Sequence, residues 1–194
     1  MKTAYNFEDP DMSTGMRHAF LGGIPENLYS EFVPAKCLEV GVYDGRNACW
    51  LLDNVLSHEQ STYTGIDYIG DHQLAHNRAI ANLKRHAPKT ELVIGNSLQV
   101  LPQFVEQKRV FDLIFIDGCH SYDGFMSDVI HSWKLLEPGG FMVCDDYLRP
   151  DYGIAEALYT FLGGMAVKTD YQITYIDYGV CIYKSYSNES ANHE

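Results

Sequence analysis

The sequence predicts a doubly wound α/β fold, a mostly parallel seven-stranded sheet with a C-terminal antiparallel hairpin and helices on both faces. Short apolar runs alternate with amphipathic segments five times between Lys36 and Cys144, which is the signature of successive right-handed β-α units. The rhythm then changes. Two runs rich in Tyr, Ile, Val and Thr, Val167–Ile176 and Gly179–Lys184, are separated only by Asp177-Tyr178, a gap that suits a hairpin and no crossover helix. A length of 194 residues fits one full-sized core, so residues 36–184 form the domain, 1–35 a helical or irregular N-terminal segment and 185–194 a flexible tail.

The elements follow in order. Lys36–Val42 is a buried strand, and the helix after it presents Ala48, Leu51, Leu52, Val55 and Leu56. Thr62–Ile66 is a second strand, with a helix over 71–86 capped by Asp71. Glu91–Ile94 is a third, followed by a helix over 97–107, for which Ser97 is the expected cap. Phe111–Ile116 is the most apolar strand, and the helix after it carries Tyr122, Phe125, Val129, Trp133 and Leu136 on one stripe. Pro138-Gly139-Gly140 is expected to break that helix and lead into a strand at Phe141–Cys144, with a sixth helix near Ile154–Leu162.

Composition narrows the function. With 14 basic and 26 acidic residues the net charge is −12, which argues against a nucleic-acid partner because no basic stripe is present to displace counterions. No apolar run approaches the length of a membrane span, and the polar start of the chain does not read as a leader. The five cysteines contain no C-x-x-C pair and read as reduced, so a cytoplasmic setting is expected. Tyrosines cluster late in the chain and are expected to pack the sheet edge or a homodimer face.

In an open sheet of this kind, ligands bind beyond the carboxyl ends of the strands. The first strand ends in Glu39-Val-Gly41-Val-Tyr43-Asp-Gly45 and runs straight into a helix, a loop whose glycines permit a tight turn and close approach to a ligand. It lacks the G-x-G-x-x-G spacing of a dinucleotide site, which disfavours a nicotinamide-dependent dehydrogenase. The second strand ends in Asp67, where a carboxylate can accept both hydroxyls of a ribose or simply face solvent. Gly95-Asn96-Ser97 ends the third. The fourth and fifth end in Asp117-Gly-Cys-His120-Ser-Tyr122 and Asp145-Asp146-Tyr147. If these two strands are neighbours, Asp117, Asp145 and Asp146 converge, either around a cation such as Mg²⁺ or as capping and solvated groups.

These motifs, with Glu137-Pro-Gly-Gly140, resemble the class I S-adenosylmethionine-dependent methyltransferases, whose fold is Rossmann-like. More narrowly, the D-G-x-H-x-Y stretch with its later acidic pair is similar to methyltransferase family 24, a group related to catechol, caffeoyl-CoA and macrocin-type O-methyltransferases. The resemblance implies that Glu39, Gly41 and Gly45 hold the methionine part of the cofactor, with Tyr43 in place of the usual middle glycine. It implies Asp67 on the ribose, Tyr68 and Ser97 flanking the adenine, and Asp117 reaching both cofactor and metal, while Gly95-Asn96-Ser97 at the third strand's end can meet an adenine edge or merely cap the helix. Asp145 and Asp146 match a metal-binding pair, and His120 stands where the catechol-type enzymes carry a catalytic lysine. Arg46-Asn47 replaces the small residues that usually follow the loop.

The expectation is therefore O-methylation of a small-molecule hydroxyl, with Mg²⁺ at the aspartates, Asp117 and His120 as catalytic residues and His120 as general base. The alternatives are a metal-independent methyltransferase and a non-catalytic cofactor-binding partner subunit.

Overall fold

A computed structural model describes residues 5–9, 14–22, 24–25, 33–70, 72–165 and 171–186. Its seven strands are β1 (Lys36–Val40), β2 (Thr62–Asp67), β3 (Thr90–Ile94), β4 (Phe111–Ile116), β5 (Leu136–Cys144), β6 (Tyr171–Ile176) and β7 (Gly179–Lys184). The helices are α1 (Gly15–Gly22), α2 (Arg46–Asn54), α3 (Gln73–Leu83), α4 (Ser97–Glu106), α5 (Tyr122–Leu135) and α6 (Ile154–Met165). The sheet order is β3-β2-β1-β4-β5-β7-β6. The first five strands run parallel, while β7 pairs antiparallel with both β5 and β6.

Alternation along the central strands divides the core into two layers. Leu38, Val40, Ile114, Ile116 and Met142 face one side, where they meet Leu101, Phe104, Phe125, Val129 and Phe161 of α4–α6. Cys37, Leu113, Phe115 and Val143 face the other and meet Met16, Leu51, Leu52 and Leu83 of α1–α3. Both faces are thus covered, as a mostly parallel sheet requires.

Several boundaries differ from the sequence expectation. The helix after β2 is shorter, at Gln73–Leu83, and a 3-10 turn over Lys84–Lys89 that contains Pro88 takes over its end. The expected cap Asp71 lies outside the described residues. For α4 the cap is Asn96, whose side chain accepts the Leu98 amide at 2.9 Å, so Ser97 is the first helical residue instead. Helix α5 ends at Leu135, before Pro138. The Lys184 ammonium donates to the carbonyls of Trp133 (2.9 Å) and Leu136 (2.5 Å), satisfying that end of the helix. Leu136 is already extended and pairs with Phe111, so Pro138-Gly-Gly140 rides on an irregular start of β5, where the register shifts. Helix α6 continues past Leu162 to Met165, and the run expected from Val167 is a strand from Tyr171, with 166–170 outside the described residues.

Candidate active site

The parallel register aligns the carboxyl ends of the strands. Val40 pairs with Ile66 and with Ile116, Asp67 with Ile94, and Ile116 with Cys144. The ladder runs one step further, with Gly41 N–H bonded to Ile66 O (2.9 Å), Gly95 N–H to Asp67 O (2.9 Å), Asp117 N–H to Val40 O (2.8 Å) and Asp145 N–H to Ile116 O (3.0 Å). Gly41, Asp67, Asp117 and Asp145 therefore stand in one row, with Gly95 one residue beyond it on β3, along the floor of a cavity of about 850 Å³. Every residue expected to bind cofactor except Gly45 lines this cavity. Gly45 lies just outside it, at the start of α2.

The first loop is shaped by its backbone. Gly41 has φ +90° and passes so close to the Asp117 carbonyl that a Cβ there would overlap it. Tyr43 also has positive φ (53°), an unusual conformation for an aromatic residue. Its amide donates to Asp67 Oδ2 at 2.8 Å, which ties the loop to the end of β2. Burial raises the Asp67 carboxyl, and backbone amides work against that shift. Tyr68 is exposed and lines the cavity with Asn96 and Ser97 on the adjoining strand end.

Glu39 is almost wholly buried at 1% exposure. It accepts a hydrogen bond from the Tyr63 hydroxyl and another from Asn47 Nδ2 at 3.1 Å. Burial pushes its carboxyl up to about 8 in spite of these bonds, with Asp117 and Asp67 adding to the rise. Such a group favours a positively charged ligand beside it. Asp128, with its carboxylate beneath Gly118, is pushed up to about 6 by burial alone.

At the other end, His120 Nε2 lies 3.6 Å from Asp117 Oδ1 and 3.5 Å from Asp146 Oδ2, and is buried without a hydrogen-bond partner. Asp117 raises the His120 imidazole, while burial raises Asp117. One ligand atom from each of Asp117, His120 and Asp146 falls within a 4.8 Å cluster. Asp145 is oriented differently. Its Oδ1 accepts the Asp146 amide (2.9 Å), and its Oδ2 packs against Gly15 of α1, where a side chain would collide with it. Burial pushes Asp145 up to about 6, with Asp117 adding to it.

Three features of the site were not legible in the sequence. The N-terminal segment contributes directly, since Glu8, Asp9, Thr14 and Gly15 line the cavity. It is held by Glu8 N–H to Asp44 Oδ2 (2.8 Å), Asn6 N–H to Asn82 Oδ1 (2.9 Å) and Met16 N–H to Asn47 Oδ1 (3.1 Å). The chain thus covers part of its own site. Tyr152 packs on His120, and Tyr63 reaches Glu39 from the neighbouring strand.

Comparison with known proteins places this geometry. Uncharacterized protein R132 of Acanthamoeba polyphaga mimivirus is 26% identical over 136 residues, covering 64% of this chain. The chain spans 58% of the length of that relative. Among solved structures, the O-methyltransferase TomG from Streptomyces achromogenes, in complex with SAM, has a TM-score of 0.67 at 19% identity. That match covers 91% of this chain and 83% of TomG. An O-methyltransferase from Bacillus cereus, in complex with SAH, has a TM-score of 0.64 at 19% identity, covering 90% of this chain and 82% of its own. At these identities the fold is what they share. Among the described residues no helix is long and apolar enough to cross a membrane. The profile of methyltransferase family 24, described as a methyltransferase domain, matches residues 38–147, from the first glycine loop through the last acidic pair, and the chain belongs to that family.

Proposed function

We propose that this protein uses S-adenosylmethionine to methylate a hydroxyl of a small molecule. The observation that carries the reading is the row Gly41, Asp67, Asp117 and Asp145 on the floor of one cavity, with Gly95 just beyond it, Glu39 behind it and His120 at one end. Asp67 is suited to the ribose, and Tyr68 with Asn96-Ser97 to the adenine. Glu39 and Asp117 favour the positive charges of a sulfonium amino acid. The complexes of TomG with SAM and of the Bacillus enzyme with SAH support the cofactor.

Methyl transfer from a sulfonium is an in-line displacement, so holding the acceptor oxygen in line with the methyl carbon contributes much of the rate. The proton of the acceptor hydroxyl must also leave. His120 is suited to take it near neutral pH, oriented by Asp117 and Asp146.

The unpartnered His120 Nε2 beside two carboxylate oxygens also fits a divalent cation. Asp117 and Asp146 would hold such an ion, with His120 or a reoriented Asp145 as the third ligand. When bound it would supply Lewis acidity that lowers the pKa of a substrate hydroxyl. The mixed nitrogen–oxygen set suits Mn²⁺ as well as Mg²⁺. The 3.5–3.6 Å approach of His120 to both carboxylates supports a second reading, in which no ion is needed and the charged pair alone orients the base.

The test is calorimetric titration of S-adenosylhomocysteine, followed by an assay of methyl transfer to phenols and vicinal diols. The expected result is binding that Asp67→Ala weakens about tenfold or more, and methylation of oxygen. A wild-type protein that binds neither S-adenosylmethionine nor S-adenosylhomocysteine would overturn the reading.

A further inference from the structure

We propose that Arg46 is the carboxylate receptor of this pocket, the side chain that selects a cofactor with an intact amino-acid tail. The inference rests on the S-adenosylmethionine reading above and assigns a residue that this reading leaves without a role.

The pocket has an unbalanced charge. Its described lining carries eight carboxylate side chains and one permanent cation, Arg46. That lining welcomes the ammonium and sulfonium of S-adenosylmethionine and repels its carboxylate. A zwitterionic tail therefore needs a local positive group at the methionine end. Arg46 is the first residue of α2, directly after the Glu39–Gly45 loop, and its charge is felt at Asp117.

Two competing donors nearby are already engaged. The Arg46 backbone amide faces Asp44 Oδ1 at 3.2 Å, so the leading N–H of α2 serves the protein's own carboxylate. Asn47 Nδ2 is given to Glu39. The guanidinium has capacity left, because Nη1 donates to the Asp9 carbonyl at 2.8 Å while Nε is buried without an acceptor. A planar fork of five N–H donors matches a carboxylate with two parallel bonds, which a lysine does not reproduce.

The test compares S-adenosylhomocysteine with its decarboxylated analogue, the aminopropyl thioether of 5′-deoxyadenosine, by calorimetric titration of the full chain at neutral pH. The wild type is expected to bind S-adenosylhomocysteine about 10- to 100-fold more tightly than the analogue. Arg46→Gln is expected to abolish that preference by weakening S-adenosylhomocysteine alone, leaving the analogue as tight as in the wild type. Arg46→Lys, which keeps the charge and the fold of the helix start, is expected to lose part of the preference and covers the case in which the glutamine variant does not fold. An Arg46→Gln variant that retains the wild-type preference, or that melts like the wild type and loses both ligands equally, would overturn the assignment. A wild type that binds both ligands equally overturns it as well. A wild type that binds neither fails differently, by removing the cofactor reading beneath it.

Discussion

Tyr152 lies face to face with His120, with ring centroids 4.2 Å apart and planes 13° from parallel. The His120 carbonyl also accepts the Gly153 amide at 2.9 Å, so the same short segment grips the histidine by backbone and by ring. Arg149 sits over the other ring in this ladder, 5.2 Å from the Tyr152 centroid. The imidazole is thus held with Nε2 between Asp117 and Asp146. An aromatic pair contributes about 0.5–1.5 kcal/mol, so Tyr152→Leu should lower kcat about 2- to 10-fold. Affinity for S-adenosylhomocysteine should be unchanged, and Tyr152→Phe should restore turnover.

The stability of the ligand-free protein should fall as pH rises from about 6 to 8. Glu39 is raised in the folded state to about 8, so across this window the folded protein keeps a proton that the unfolded chain has lost. Each full proton of difference is worth about 1.4 kcal/mol per pH unit. Asp128 and Asp145, at about 6, contribute the same sign below that value, and the raised His120 contributes it above its ordinary range. Glu39→Gln should flatten a urea-denaturation series all the way from about 4.5 to 8, leaving only the slope from Asp128 and Asp145 below about 6 and from His120 above its ordinary range.

Gly41→Ala should destabilise the fold by on the order of 3 kcal/mol, because the new methyl meets the Asp117 carbonyl in a backbone conformation that L-residues avoid. Chemical denaturation measures the loss. Gly163→Ala serves as the control, since a Cβ there meets nothing within 4 Å and α6 gains propensity.

If a divalent ion is bound, Mn²⁺ titrated into protein saturated with S-adenosylhomocysteine should show saturable binding that Asp146→Ala abolishes. Asp145→Asn should weaken it less, because the Asp145 carboxylate is engaged by the Asp146 amide and Gly15. Chelation should then reduce turnover, and added Mn²⁺ or Mg²⁺ should restore it. Turnover unaffected by exhaustive chelation would favour His120 acting alone.

The architecture and the strand-end residues were legible because they depend on local periodicity and on one topological rule. A strand's apolar run marks where it stops, and the parallel register then lines up Asp67, Asp117 and Asp145. The end of α5 was not legible, since the ammonium that caps it comes from Lys184, on a strand 48 residues beyond Leu136. The part played by residues 5–9 was hidden for the same reason. Asn6 and Glu8 read as ordinary polar residues until tertiary structure brings them to Asn82 and Asp44. The orientation of Asp145 away from the His120 cluster depends on α1 packing beneath it, which spacing along the chain does not encode.

The place of β7 between β5 and β6 bears on how the molecule assembles. Translation delivers β6 before β7, yet among the described strands β6 pairs only with β7. Residues 171–176 therefore have no described strand partner until 179–184 are made, and β7 must be in place before β6 can join the sheet. The edge of β5 that ends in Asp145 and Asp146 consequently stays uncovered until β7 is made, and a nascent chain stalled before Gly179 would present that edge to chaperones and to other chains.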